Sequence, residues 1–191
     1  MTIETSKSSE TVSGAVARKT GFVDGMSAGG VFTITCVDKD GNVKWVDIAP
    51  NLVVNTGLQD MNTKYFSGSS YTAAWYIGLV NGNAASTTYS GGDTLASHAG
   101  WTENSSYSGN RKAMTFGAAT LNNPSNINNS SSTASFTMNA TANIAGAFVC
   151  NVATTNTGLL FSAADFQSPG DRSVVNGDVL NVTYSFNLDA S

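Results

Sequence analysis

"GDVLNVTYSFNLD", residues 177–189, alternates more cleanly than any other part of the chain. Leu180, Val182, Tyr184, Phe186 and Leu188 fall on one side of an extended strand; Val179, Asn181, Thr183, Ser185 and Asn187 fall on the other. A period of two held over this length specifies a strand with one face on a core and the other against water or a polar neighbour. Asn176-Gly177, just before it, is a hairpin turn signal. Sheet, then, buries the core of this protein.

The same period recurs upstream. In VFTITCVDKDGNVKWVDI, residues 31–48, Phe32, Ile34 and Cys36 alternate with Thr33 and Thr35. DKDGN then turns the chain and Val43 to Ile48 return, which predicts a hairpin. Asp38-Lys39-Asp40-Gly41 is turn chemistry and not a calcium loop, because the glycine falls too early and no bidentate Glu follows. AAWYIGLVNG, residues 73–82, sets Trp75, Ile77 and Leu79 against Tyr76, Gly78 and Val80, so both faces are apolar, as in a central strand. Further strands are expected at Arg111–Phe116, through Ala134, Phe136 and Met138, and at Ile144–Cys150, where Gly146 marks a close approach. Leu159–Phe161 begins another, interrupted by AADFQSPGD. Asn81–Gly100 reads as a long loop, and Asn122–Ser132 as a low-complexity connector.

One stretch breaks the pattern. In NLVVNTGLQDM, residues 51–61, apolar residues take helical spacing. Pro50 is expected to stop the preceding strand, and Thr56 to cap a helix over Gly57 to Phe66. Leu58, Met61 and Tyr65, at i, i+3 and i+7, form the face expected to pack on the sheet. The predicted fold is therefore mainly β, a β-sandwich or jelly-roll-like barrel with one short helix. Residues 1–20, polar and without periodicity, read as a flexible or extended N-terminal arm. Residues 21–50 form the N-terminal hairpin and 51–191 the sandwich core, with hairpin and core one folded unit.

Composition narrows the function. Charged residues make up only 12% of the 191, whereas 24 Ser, 22 Thr and 20 Asn supply the polarity. Small neutral side chains suit turns and the wet faces of sheets without long flexible charges. Nine Lys and Arg, a net charge of −4 and a pI near 4.7 argue against nucleic acid, which requires clustered cations. No apolar run reaches secretory or membrane-spanning length, so a soluble chain with no membrane partner is expected. Cys36 and Cys150 sit in apolar alternating stretches and read as buried free thiols. Their number and spacing do not suit zinc.

Chemistry finds little to work with. His98 is the only histidine and has no second ligand or nucleophile beside it in sequence. Asp93 and Glu103 are the nearest thing to a glycosidase pair, but nothing selects them. The group Asp165, Asp171 and Arg172 reads as local turn pairing. No phosphate loop, nucleophile elbow or cofactor motif is present, so neither an enzyme nor a cofactor is expected. The remaining candidate binding surface is the 81–110 region, with Arg111 just beyond it: Tyr89, Trp101 and Tyr107 read first as loop anchors, the alternative being stacking platforms for a glycan or receptor.

From Pro50 to Leu188 the order of segments resembles structural proteins of tailed bacteriophages. NLVVNTGL before the helix carries the resemblance, with AWYIGLV, YSGNRKAMTF, IAGAFVCN, GLLFSAADF and VVNGDVLNVTYSFNL. It implies a virion component assembled in the host cytoplasm: a capsid decoration (cement) protein, or an accessory of the tail or collar. The partners it implies are the major capsid protein or tail and collar proteins. A homo-oligomer is expected with them, a trimer being the arrangement considered, and the first fifty residues lie outside the match.

Overall fold

A computed structural model describes residues 25–68, 70–82, 87–167 and 170–190. The predicted arm at 1–20 lies outside them.

The fold is mainly β, with eleven strands and one helix among the described residues. Two antiparallel layers face each other. In the first, β1 (Met26–Val37) lies between β2 (Val43–Val53) and β11 (Val179–Ala190), and β6 (Ser125–Asn128) and β7 (Ala134–Thr137) pair with the far side of β11. In the second, β8 (Ala142–Cys150) is central, flanked by β3 (Trp75–Asn81) and β9 (Leu160–Asp165). Two short strands, β4 (Glu103–Asn104) and β5 (Lys112–Met114), pair with β3, and β10 (Arg172–Val174) pairs with the start of β8.

β2 joins the layers. From Val43 to Pro50 it pairs with β1; from Asn51 to Val53 it pairs with β9. The expectation that Pro50 ends the strand is corrected here. Proline removes one N–H from a ladder but keeps extended dihedrals, and it sits where β2 leaves one partner for another. The proposed boundary at residue 50 is thus a change of layer inside one strand. The N-terminal hairpin is built into the sheet, because β1 pairs with β11 over its whole length.

The facing sides of the layers form the main core. Phe32, Ile34, Leu180, Val182 and Tyr184 meet Ile77, Leu79, Ile144 and Val149 there, all fully buried. One polar pin crosses it. Asn51 Nδ2 donates to the Tyr184 hydroxyl at 2.8 Å, and Ser162 Oγ lies 3.2 Å from the same oxygen. Burial raises the Tyr184 phenol far above its ordinary range, so it stays neutral.

A second core lies on the outer face of the β8 layer, where Val80, Ala145, Phe148, Cys150 and Ala163 pack under Leu95 and Trp101. β8 is consequently buried on both sides, which its apolar run Ile144–Cys150 requires. Gly146 and Gly78 make this packing feasible. A Cβ at 146 would lie 1.9 Å from the Ala164 carbonyl oxygen, and one at 78 would enter the Phe148 ring.

Four further expectations are corrected. The helix α1 spans Asn55–Phe66 with Val54 at its cap; Thr56 Oγ1 donates instead to the Leu160 carbonyl. The 122–132 connector contains β6, held to β11 by a ladder and by Asn126. β9 runs through Ala163, Ala164 and Asp165, because two small residues fit under both cores. Asn176-Gly177 does turn the chain, with Gly177 at φ +91°, but it connects β10 in one layer to β11 in the other.

Candidate functional site

The residues expected at a binding surface are for the most part interior. Trp101 is 2% exposed, Tyr107 5% and Arg111 5%, so none offers a stacking platform. Each anchors a loop. The Trp101 indole N–H donates to Asp93 Oδ2 at 3.0 Å, and its ring stacks on His98 with centroids 3.8 Å apart. Below it lies Phe148, at 5.2 Å. His98 Nδ1 is 3.0 Å from the Trp101 carbonyl oxygen, so the histidine is a packing element of this loop.

Tyr89, half-buried, lies over Gly146, with its hydroxyl buried and lacking a hydrogen-bond partner. Burial drives its phenol far above the usual range, and Asp165, Asp171 and Asp93 add to the effect. Tyr107 sets its ring edge-on to Phe136 at 4.8 Å, and burial raises its phenol too.

Arg111 is fully committed. Nε and Nη2 donate to the two Glu103 carboxylate oxygens at 2.9 and 2.7 Å. Nη1 donates to the Val152 and Thr155 carbonyls at 3.2 and 2.8 Å, and Nη2 also to Asn156 Oδ1 at 3.1 Å. All five donors of the guanidinium are spent inside the protein. It ties β4, the start of β5 and the 152–156 loop over Phe148, whose ring it overlies at 5.3 Å.

This geometry accounts for both carboxylates considered for catalysis. Asp93 holds Trp101 and Glu103 holds Arg111, so neither is a free group facing its partner across a cleft. The expected local pairing near Asp171 is also corrected. Arg172 reaches across to buried Asp47 of β2 through Nε at 3.0 Å and through Nη2. Cys36 and Cys150 are buried free thiols, and no cluster of metal-ligating side chains occurs among the described residues. Burial, reinforced by Asp178, pushes the Cys36 thiol to about 11.

The face expected to dock α1 divides. Met61 packs on the main core, but Leu58 is 41% exposed and Tyr65 82%. Gly57 decides this. It is the helix's buried residue, and a Cβ there would lie 2.4 Å from the Phe161 carbonyl oxygen. The helix sits down on its glycine, which turns Leu58 and Tyr65 toward solvent.

Exposed apolar residues gather elsewhere. Val46, Ile48 and Leu52 alternate along the outer side of β2, at 50%, 60% and 39% exposure, and Leu58 lines a groove with Leu52 and Met26. On the same strand the inward positions include Asp47. The pattern is thus inverted, with a charge inside and β-branched residues outside. That inversion is legible in VKWVDIAPNL once the hairpin register is fixed.

The chain matches no protein-family model, no curated protein and no solved structure.

Proposed function

We propose that the protein is a non-enzymatic structural component of a tailed-phage virion, binding the capsid surface as a decoration or cement subunit and working through subunit contacts as a homo-oligomer. One observation carries this reading: the apolar residues Val46, Ile48, Leu52 and Leu58, exposed on one strand and the helix that follows it. Contiguous apolar surface on a folded domain marks an interaction site, and one made of β-branched and Leu side chains on regular elements suits a preformed, repeated contact. The low charge and the Ser, Thr and Asn-rich outer face of the β11 layer fit close packing among neighbours. Many modest contacts of that kind sum to tight occupancy through multivalency. The receptor-binding alternative loses support, since Trp101, Tyr107 and Arg111 are spent on internal anchoring.

Quantitative mass spectrometry of purified particles tests the reading. Copies in the hundreds are expected for a capsid subunit; a handful per particle would move the protein to the tail or collar, and none would end the virion assignment. Removing residues 1–20 should lower occupancy while leaving a folded domain, and unchanged occupancy would end the docking role of the arm.

A further inference from the structure

Beside α1 the main core holds a pocket of about 150 Å³, with walls drawn from both layers. Phe161 of β9 and Phe186 of β11, both buried, line it together with half-buried Met61, Trp75, Phe116 and Ile127. No polar atom faces the space.

The way the helix docks explains why room is left here. Gly57 brings α1 down against the Phe161 carbonyl, so that of its apolar side chains Met61 packs on the main core while Leu58, Tyr65 and Phe66 stand exposed. Across the pocket the four-residue strand β6 supplies Ile127, opposite Phe186 in the ladder with β11. One flexible methionine and one isoleucine thus border an opening that is otherwise walled largely by aromatic rings.

Those rings are set at steep angles to one another. Trp75 and Phe161 meet at 5.3 Å and 69°, Phe161 and Phe186 at 5.3 Å and 72°, and Trp75 and Phe116 at 6.4 Å and 73°. Such a series offers both ring faces and ring edges to a guest, and an aromatic guest gains edge-to-face contacts that a saturated ring of similar size lacks. The volume fits one ring: a cavity of about 150 Å³ walled by Leu, Ile and Phe side chains takes benzene. Water in this pocket finds no wall atom to hydrogen-bond, so an apolar guest gains by displacing it, whereas a charged guest would be desolvated without compensation. We propose that the pocket is a binding site for a small, neutral, single-ring aromatic molecule. The site stands independently of the virion assignment, which rests on the exposed residues of β2 and α1.

The test uses the full chain and fluorobenzene, followed through its fluorine resonance. Saturable binding is expected with a dissociation constant of about 1 mM or tighter, within the range open to so small a ligand. Fluorocyclohexane, similar in size but without an aromatic face, should bind at least about twofold more weakly. Intermolecular NOEs should join the fluorobenzene protons to the methyl groups of Met61 and Ile127, which locates the guest without any substitution. Ile127→Trp puts a larger side chain into the pocket from a short strand, and should weaken fluorobenzene at least about tenfold while denaturant unfolding stays cooperative. Absence of saturable binding in the low-millimolar range would overturn the site. Binding without those NOEs, or binding undiminished in a folded I127W variant, would place the guest elsewhere and overturn it equally. Equal affinity for the two fluorinated rings would overturn the aromatic assignment.

Discussion

The two layers of the sandwich solve the same problem differently. In the β11 layer, β1 and β11 bury one face and leave the other largely to Thr, Asn and Ser, so these two strands alternate and each residue has one neighbourhood. The β8 layer buries both faces, and its strands read Ile-Gly-Leu-Val and Ile-Ala-Gly-Ala-Phe-Val-Cys without a polar side. A layer covered twice needs a second lid, and here loops supply it: the 87–101 segment through Leu95 and Trp101, and the 103–111 and 152–156 segments through Arg111. Loops with little regular structure can serve as a core wall only where charged and aromatic side chains fix them in place.

If that distinction holds, Arg111→Ala should have the largest effect. It strands Glu103 and two carbonyls at once, a loss on the order of 3–5 kcal/mol for removing one partner of a buried pair. Denaturant unfolding would measure it, and Trp101 fluorescence should report loosening of the lid; a cost below about 1 kcal/mol would mean that the lid is held otherwise. Tyr184→Phe comes next. It removes the hydroxyl between Asn51 and Ser162, and should cost about 1–3 kcal/mol because their polar atoms stay buried.

Alkali should weaken the β11 layer through Cys36. Its thiol sits at about 11 when folded, against 9.0 as its ordinary value. Between these values the unfolded chain has released a proton that the folded one keeps, so stability falls as pH rises from about 9 to about 11. Cys36→Ala should flatten that slope, and an unchanged slope would exclude this thiol as its source. Lys44 acts in the same direction at higher pH. Its hydrogen bond to Asp178 holds the ammonium above its ordinary range, and the stabilisation is lost once the lysine deprotonates. The smallest effect belongs on the wet face: Asn181→Thr should stay within about 0.5 kcal/mol of the parent in denaturant unfolding.

The contrast also explains what the sequence reveals. Alternation made β1, β7 and β11 legible, and apolar runs disclosed β3 and β8, because burial on one or two faces writes directly into residue order. β6 was hidden: Ser125–Asn128 pairs through backbone and Asn126 side-chain bonds, with little apolar periodicity to betray it. The helix was visible, but its orientation was not. Leu58, Met61 and Tyr65 define a face in sequence, yet Gly57 lies against Phe161 and rotates that face outward, a contact between residues more than a hundred positions apart. Arg111 reads from sequence as part of a binding surface. Nothing near it in sequence announces the carbonyls of Val152 and Thr155 that draw it inside.

β2 carries one further implication. Because a single strand is stitched into both layers, tension applied between them is borne by covalent backbone through Pro50 and Asn51 before it reaches the packed interface. Sliding one layer over the other would have to strip ladders at both ends of that strand. The molecule is built with a tie-rod, and shear should find it stiffer than a pair of sheets held together by side chains alone.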